Sequence, residues 1–103
     1  MIKVSVFYPN GPQAKFDMQY YTARHIPLVQ RLCGAELKGV AVEGGIAGAT
    51  PGSAPSFLAM GHLLFASVEA FQASFGPHTG EIVGDVPNYT NIPPVIQISQ
   101  VMS

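Results

Sequence analysis

The chain reads as an α+β domain of order β-α-β-β-α-β, with a four-stranded antiparallel sheet carrying its helices on one face. Three observations predict this: alternating β-branched and aromatic segments at both ends, one long amphipathic segment over residues 18–33, and glycine- and proline-rich breaks between the apolar runs. With 103 residues the chain is long enough for one core and too short for two, so 1–103 is read as a single domain.

The elements follow in order. Residues 2–8, IKVSVFY, alternate and form the first strand, and PNGPQ is a turn cluster. Asp17 suits the N-cap of a helix over 18–33, which Gly34 stops. Residues 36–43, ELKGVAVE, read as the second strand. Gly44 to Ser56 holds four glycines and two prolines in 13 residues, so it is an irregular loop, of a length more often functional than accidental. Residues 57–66, FLAMGHLLFA, form the third strand. Ser67 caps a short helix through VEAFQASF that Gly76-Pro77 ends, one helical turn is expected near 78–84, and 95–102, VIQISQVM, is the last strand. This order is the split βαβ pattern of ferredoxin-like folds.

Charge is scarce. Charged residues make up 11% of the chain, against about 25% in a typical soluble domain. The open face of a sheet covered on one side only would then be apolar, and we expect a homodimer in which two sheets pack face to face as a barrel. All five basic residues precede residue 39, so no basic stripe follows a phosphate backbone and nucleic acid is not expected as a partner. The longest uncharged run, Gly44 to Val68, is broken by Pro51, Pro55 and five glycines and does not suit a membrane span. The N-terminal segment is strand-like, without the pattern of a signal peptide, so a soluble, cytoplasmic protein is expected. One cysteine, Cys33, forbids an intrachain disulfide; at a helix end beside a glycine it reads as an inert, partly buried thiol.

The chemistry concentrates in YYTARHIPLV, residues 20–29. At helical spacing Met18, Tyr21, His25, Leu28 and Leu32 share one face, so His25 points toward the sheet between Tyr21 and Leu28. Tyr20, Arg24, Pro27 and Arg31 lie opposite, so Tyr20 is expected outward and structural. Pro27 lacks an N–H, and its ring collides with the carbonyl four residues back. The ladder should open near Ala23 and kink around Ile26, leaving a gap beside His25. Two readings stand for His25: a core histidine bonded to a backbone carbonyl, or a neutral imidazole in an apolar pocket that exchanges a proton near neutral pH.

Other candidates are fewer. His62 lies mid-strand on the side of Leu58, Met60 and Leu64, as a pocket wall or a bonded core residue. His78 follows Gly76-Pro77 in a loop, either at the surface or reaching a pocket. Asp85, Asn88 and Tyr89 form a polar cluster in GDVPNYT; Asp85 either orients a histidine or caps a turn. No GxGxxG, no P-loop and no paired-histidine spacing is present, so neither a nucleotide cofactor nor a metal is expected.

YYTARHIPLV resembles the signature helix of the EthD family, named for ethyl tert-butyl ether degradation and catalogued among oxidoreductases. The resemblance extends over MIKVSVFYPN, APSFLAMGHLLFASVEAFQASFGPH and EIVGDVPNYTNIPPVIQIS, nearly the whole chain. It implies a dimeric α+β barrel with a pocket between helices and sheet, in a superfamily whose reactions are diverse. It also favours the functional reading of His25. The expected protein is therefore a small cofactor-independent enzyme acting on an apolar, cyclic or oxygenated small molecule. His25 would be its general acid/base, assisted by Tyr21, His62 and Asp85, with Leu28, His78 and Tyr89 in contact with substrate. The alternative is a non-catalytic dimeric carrier that assists a partner oxygenase.

Overall fold

In the computed structural model, which describes residues 1–103, strand β1 (Ile2–Pro9) is the centre of a four-stranded sheet of order β2-β3-β1-β4. The others are β2 (Gly39–Gly44), β3 (Phe57–Phe65) and β4 (Val95–Gln100), and every pairing is antiparallel. This is the ferredoxin-like arrangement that the element order predicts. Strand β2 begins later than expected because residues Gly34–Glu36 tighten into a 3₁₀ turn.

The pleat divides the sheet. Ile2, Val4, Val6 and Tyr8 of β1 lie opposite Phe65, Leu63, Gly61 and Ala59 of β3, and these eight face the helices. The intervening positions, among them Ser5, Met60, His62 and Leu64, take the other face, which no helix covers.

Helix α1 spans residues 18–33 and is not uniform. An α-helical turn, Met18–Tyr20, leads into a π-helical stretch, Tyr21–His25, before α-helix resumes over Ile26–Cys33. Asp17 caps the start by accepting from the Tyr20 N–H at 3.0 Å. Gly34 ends it with a left-handed φ of 64°. The opened ladder lies in the turn before Pro27, where the Ile26 N–H reaches back five residues to the Tyr21 carbonyl. Proline then enters at the first turn of the resumed α-helix, where a missing N–H costs little.

One extra residue in that turn rotates everything after it. The buried residues of α1 are Tyr21, His25, Ile26, Val29 and Cys33. The expected face is therefore correct as far as His25, but beyond it Val29 replaces Leu28 and Cys33 replaces Leu32.

Two more helices complete the layer: α2 (Val68–Phe75), capped by Ser67, and α3 (Thr79–Asp85), a full helix where one turn was expected. Val29, Cys33 and Ile82 pack with Ile2, Val4, Leu63 and Phe65 in the main core. A second, aromatic cluster joins Tyr8, Tyr21 and Tyr89 to Ile26, Ala59 and Ile92. The glycine-rich loop 45–56 is tied to the β1 end by the bond from the Asn10 N–H to the Ser56 carbonyl, 2.9 Å, and none of its residues lines the main cavity. No helix is long and apolar enough to cross a membrane.

Candidate functional site

The π-helical turn, the second aromatic cluster and the end of α3 meet around a cavity of about 300 Å³ between the helices and the sheet. Of its 16 lining residues 12 are hydrophobic; none is lysine or arginine. The floor is Val6, Tyr8, Gly61 and Leu63 of the sheet, and α1 contributes Tyr21, His25, Ile26 and Val29. Val83 and Ile96, 56% and 60% exposed, mark the mouth between α3 and edge strand β4.

His25 is 5% exposed, and its Nδ1–H donates to Asp85 Oδ2 at 2.9 Å. Asp85 is further held by the Tyr20 hydroxyl at 2.7 Å and the Asn88 amide at 2.9 Å, both on Oδ1. A carboxylate only accepts, so this pairing fixes the neutral tautomer with the proton on Nδ1 and the lone pair on Nε2. Nε2 makes no hydrogen bond within the protein, yet no fully buried side-chain nitrogen or oxygen lacks a partner. Nε2 is therefore open to solvent through the cavity.

Electrostatics reinforce that assignment. Burial lowers the His25 imidazole below its ordinary pKa, and the bond and charge of Asp85 only partly oppose this. Partial burial works against the Asp85 charge, but the hydrogen bonds from Tyr20, Asn88 and His25 outweigh it and hold the carboxyl below its ordinary value. Near neutral pH the pair is thus carboxylate and neutral imidazole, the state in which Nε2 accepts a proton.

Aromatic rings complete the walls. Tyr21 stacks on His25 with ring centroids 5.5 Å apart and planes 15° from parallel, and Tyr89 lies 4.6 Å from the imidazole. The Tyr8 and Tyr89 hydroxyls are 2.7 Å apart. Desolvation raises the pKa of all three tyrosines, so they keep their protons. Gly61 is needed beneath them: a Cβ at that position would collide with the Tyr21 hydroxyl.

Four of the sequence-predicted residues, His25, Asp85, Tyr21 and Tyr89, come together here. The other three do not. Leu28 is turned off the cavity by the extra π-helical residue, and Val29 takes its place. His62 lies on the uncovered sheet face, where Nδ1 accepts from the Ser5 hydroxyl at 2.8 Å and Nε2–H donates to Glu43 at 3.0 Å. His78 sits half-buried in the 3₁₀ turn Gly76–His78 and does not line the cavity. Tyr8 and Tyr20 are site residues that sequence reasoning missed. Tyr8 carries a legible signal, since alternation places it on the face of Val4 and Val6. Tyr20 carries none: on a regular α-helix it stands about 140° from His25. The π-helical ladder brings residues five apart to one side, so both reach Asp85.

A ferredoxin-like domain with a carboxylate-oriented histidine at the wall of an apolar cavity is the class that fold and site define. The chain belongs to the EthD family: the EthD domain model matches residues 12–93. An EthD-like protein from Ralstonia eutropha is 44% identical with a TM-score of 0.95, over 99% of this chain and 92% of that one. An ethyl tert-butyl ether degradation (EthD) family protein from Bacillus halodurans shares the fold at 20% identity and TM-score 0.68, over 99% of each chain. A protein of Arabidopsis thaliana does so at 9% identity and TM-score 0.69, over 100% of this chain and 97% of that one. No curated protein matches the chain.

Proposed function

We propose that the protein is a cofactor-independent enzyme of the EthD type in which His25 removes an enolisable or phenolic proton from an apolar small molecule held in the cavity. One observation carries this reading: Nδ1 is bound to Asp85 at 2.9 Å while Nε2 is left free at the wall of an apolar cavity. A purely structural histidine would be expected to use its second nitrogen on the protein. Asp85 fixes the tautomer and stabilises the imidazolium formed on proton transfer, and the apolar walls exclude competing water.

The protein acts, on this reading, as a cytoplasmic homodimer. Supporting the dimer are the low charge and, on the uncovered sheet face, Val95 of edge strand β4, which is 53% exposed. The alternative role, a non-catalytic dimeric carrier that assists a partner oxygenase, needs the same apolar cavity but no proton transfer. The two roles differ in whether His25 moves a proton.

The test is wash-out of α-protons from a neutral cyclic ketone, 2-tetralone, followed by NMR in deuterated buffer. Exchange faster than buffer that falls about 10²–10⁴-fold in His25→Ala supports the base. Saturable binding of the ketone with no accelerated exchange would leave the carrier role instead.

A further inference from the structure

We infer that Tyr89 is the hydrogen-bond donor to the ligand's oxygen, and that the site takes a neutral carbonyl compound or phenol whose acidic proton and oxygen reach His25 and Tyr89 together. The inference rests on the reading of this cavity as the ligand site and adds the group opposite the base.

Its hydroxyl pairing and its place beside His25 give Tyr89 this role. The Tyr8 and Tyr89 oxygens are 2.7 Å apart, so one hydroxyl donates to the other and the acceptor keeps a free proton. Of these two rings it is Tyr89 that packs against the His25 imidazole, so Tyr8 is taken as the donor within the pair and Tyr89 as the holder of the free proton. With Tyr8 donating, the Tyr89 O–H has no acceptor in the protein. Its ring lies 4.6 Å from the His25 imidazole, and both residues line the cavity. The Tyr89 donor and the free Nε2 acceptor thus line one largely apolar cavity, which the Tyr21 hydroxyl also enters.

The wall also selects charge. None of the lining residues is a cation, and the one carboxylate behind it, Asp85, disfavours an anion. A carboxylate or phosphate would enter unpaired, at a large desolvation cost, whereas a neutral carbonyl or phenolic oxygen needs a single donor. At about 300 Å³ the cavity stands at the small end of ligand sites, of a size for a molecule of one or two rings. With a ketone bound, the α-proton passes to His25 Nε2 and the C–H electron pair forms the C=C bond of the enolate. Negative charge gathers on the oxygen that Tyr89 holds, and return of the proton from the imidazolium to carbon closes the cycle without oxidant or reductant. Burial keeps Tyr89 protonated and His25 neutral, so acid and base coexist at one pH.

The test compares binding of 2-naphthol and of 2-methylnaphthalene, which has the same shape and no hydroxyl, by fluorescence titration. Wild type should bind 2-naphthol about tenfold more tightly. Tyr89→Phe should abolish that preference while holding 2-methylnaphthalene as before. Equal affinities in wild type, or binding of neither probe, would overturn the inference without any variant. A preference that survives Tyr89→Phe and vanishes in His25→Ala would also overturn it, while leaving His25 as the base. A preference lost in Tyr89→Phe and kept in His25→Ala sustains it whatever the fate of α-proton exchange.

Discussion

His25 and Asp85, sixty residues apart in the chain, share a hydrogen bond of 2.9 Å that assigns the two imidazole nitrogens different work. Nδ1 is spent on the carboxylate and Nε2 is left for the cavity. The bond exists because a π-helical turn aims His25 inward and because α3 ends on Asp85 beside it.

Asp85→Asn should damage catalysis through the tautomer. An amide can donate to Nδ1, which would move the proton to Nε2 and remove the lone pair facing the cavity. Turnover should fall by about 10²–10⁴ with little change in KM, measured on any ketone that wild type exchanges. An equal loss of affinity would mean that Asp85 shapes the cavity instead.

Stability should depend on pH through His25 in a stated direction. Its folded pKa is lowered, so below about pH 6.5 the unfolded chain takes up a proton that the fold resists. This contribution is complete above that pH and is lost as pH falls from there toward the folded value. Asp85, also lowered, loses its contribution only further down, below about pH 3.9. Urea unfolding of wild type and His25→Gln between pH 7 and pH 5 should show the steeper decline in wild type.

Gly61→Ala should cost about 1–3 kcal/mol, because its methyl group meets the rigidly packed Tyr21 hydroxyl. Removing the hydroxyl should restore most of that loss, since the next ring atom, Cζ, lies at an ordinary 3.4 Å. The double variant Gly61→Ala/Tyr21→Phe is therefore expected to be more stable than Gly61→Ala alone. Additive losses in a double-mutant cycle would contradict the contact.

Sedimentation equilibrium at micromolar concentration should give twice the chain mass, and Met60→Lys, a charge on the uncovered sheet face, should give the monomer. A monomeric wild type would exclude the face-to-face dimer.

Much of this was legible in the residues. The alternation of IKVSVFY and VIQISQ, the caps at Asp17 and Ser67 and the stop at Gly34 follow from local chemistry that the tertiary structure does not override. His25 and the gap near Pro27 were legible because a proline inside a helix must be accommodated somewhere. The mode of accommodation was not. A kink and an inserted π-helical residue answer the same problem, but only the insertion shifts Leu28 away and brings Tyr20 to Asp85. His62 illustrates a different limit. Alternation grouped it correctly with Met60 and Leu64, but which sheet face the helices cover is a property of the assembled layers.

The most direct test of the account is the ¹⁵N NMR titration of the His25 imidazole, which needs no substrate. The ring should be neutral with its proton on Nδ1, and its pKa should lie below the ordinary histidine value of about 6.5. A ring protonated on Nε2 when neutral, or a pKa above that value, would contradict it.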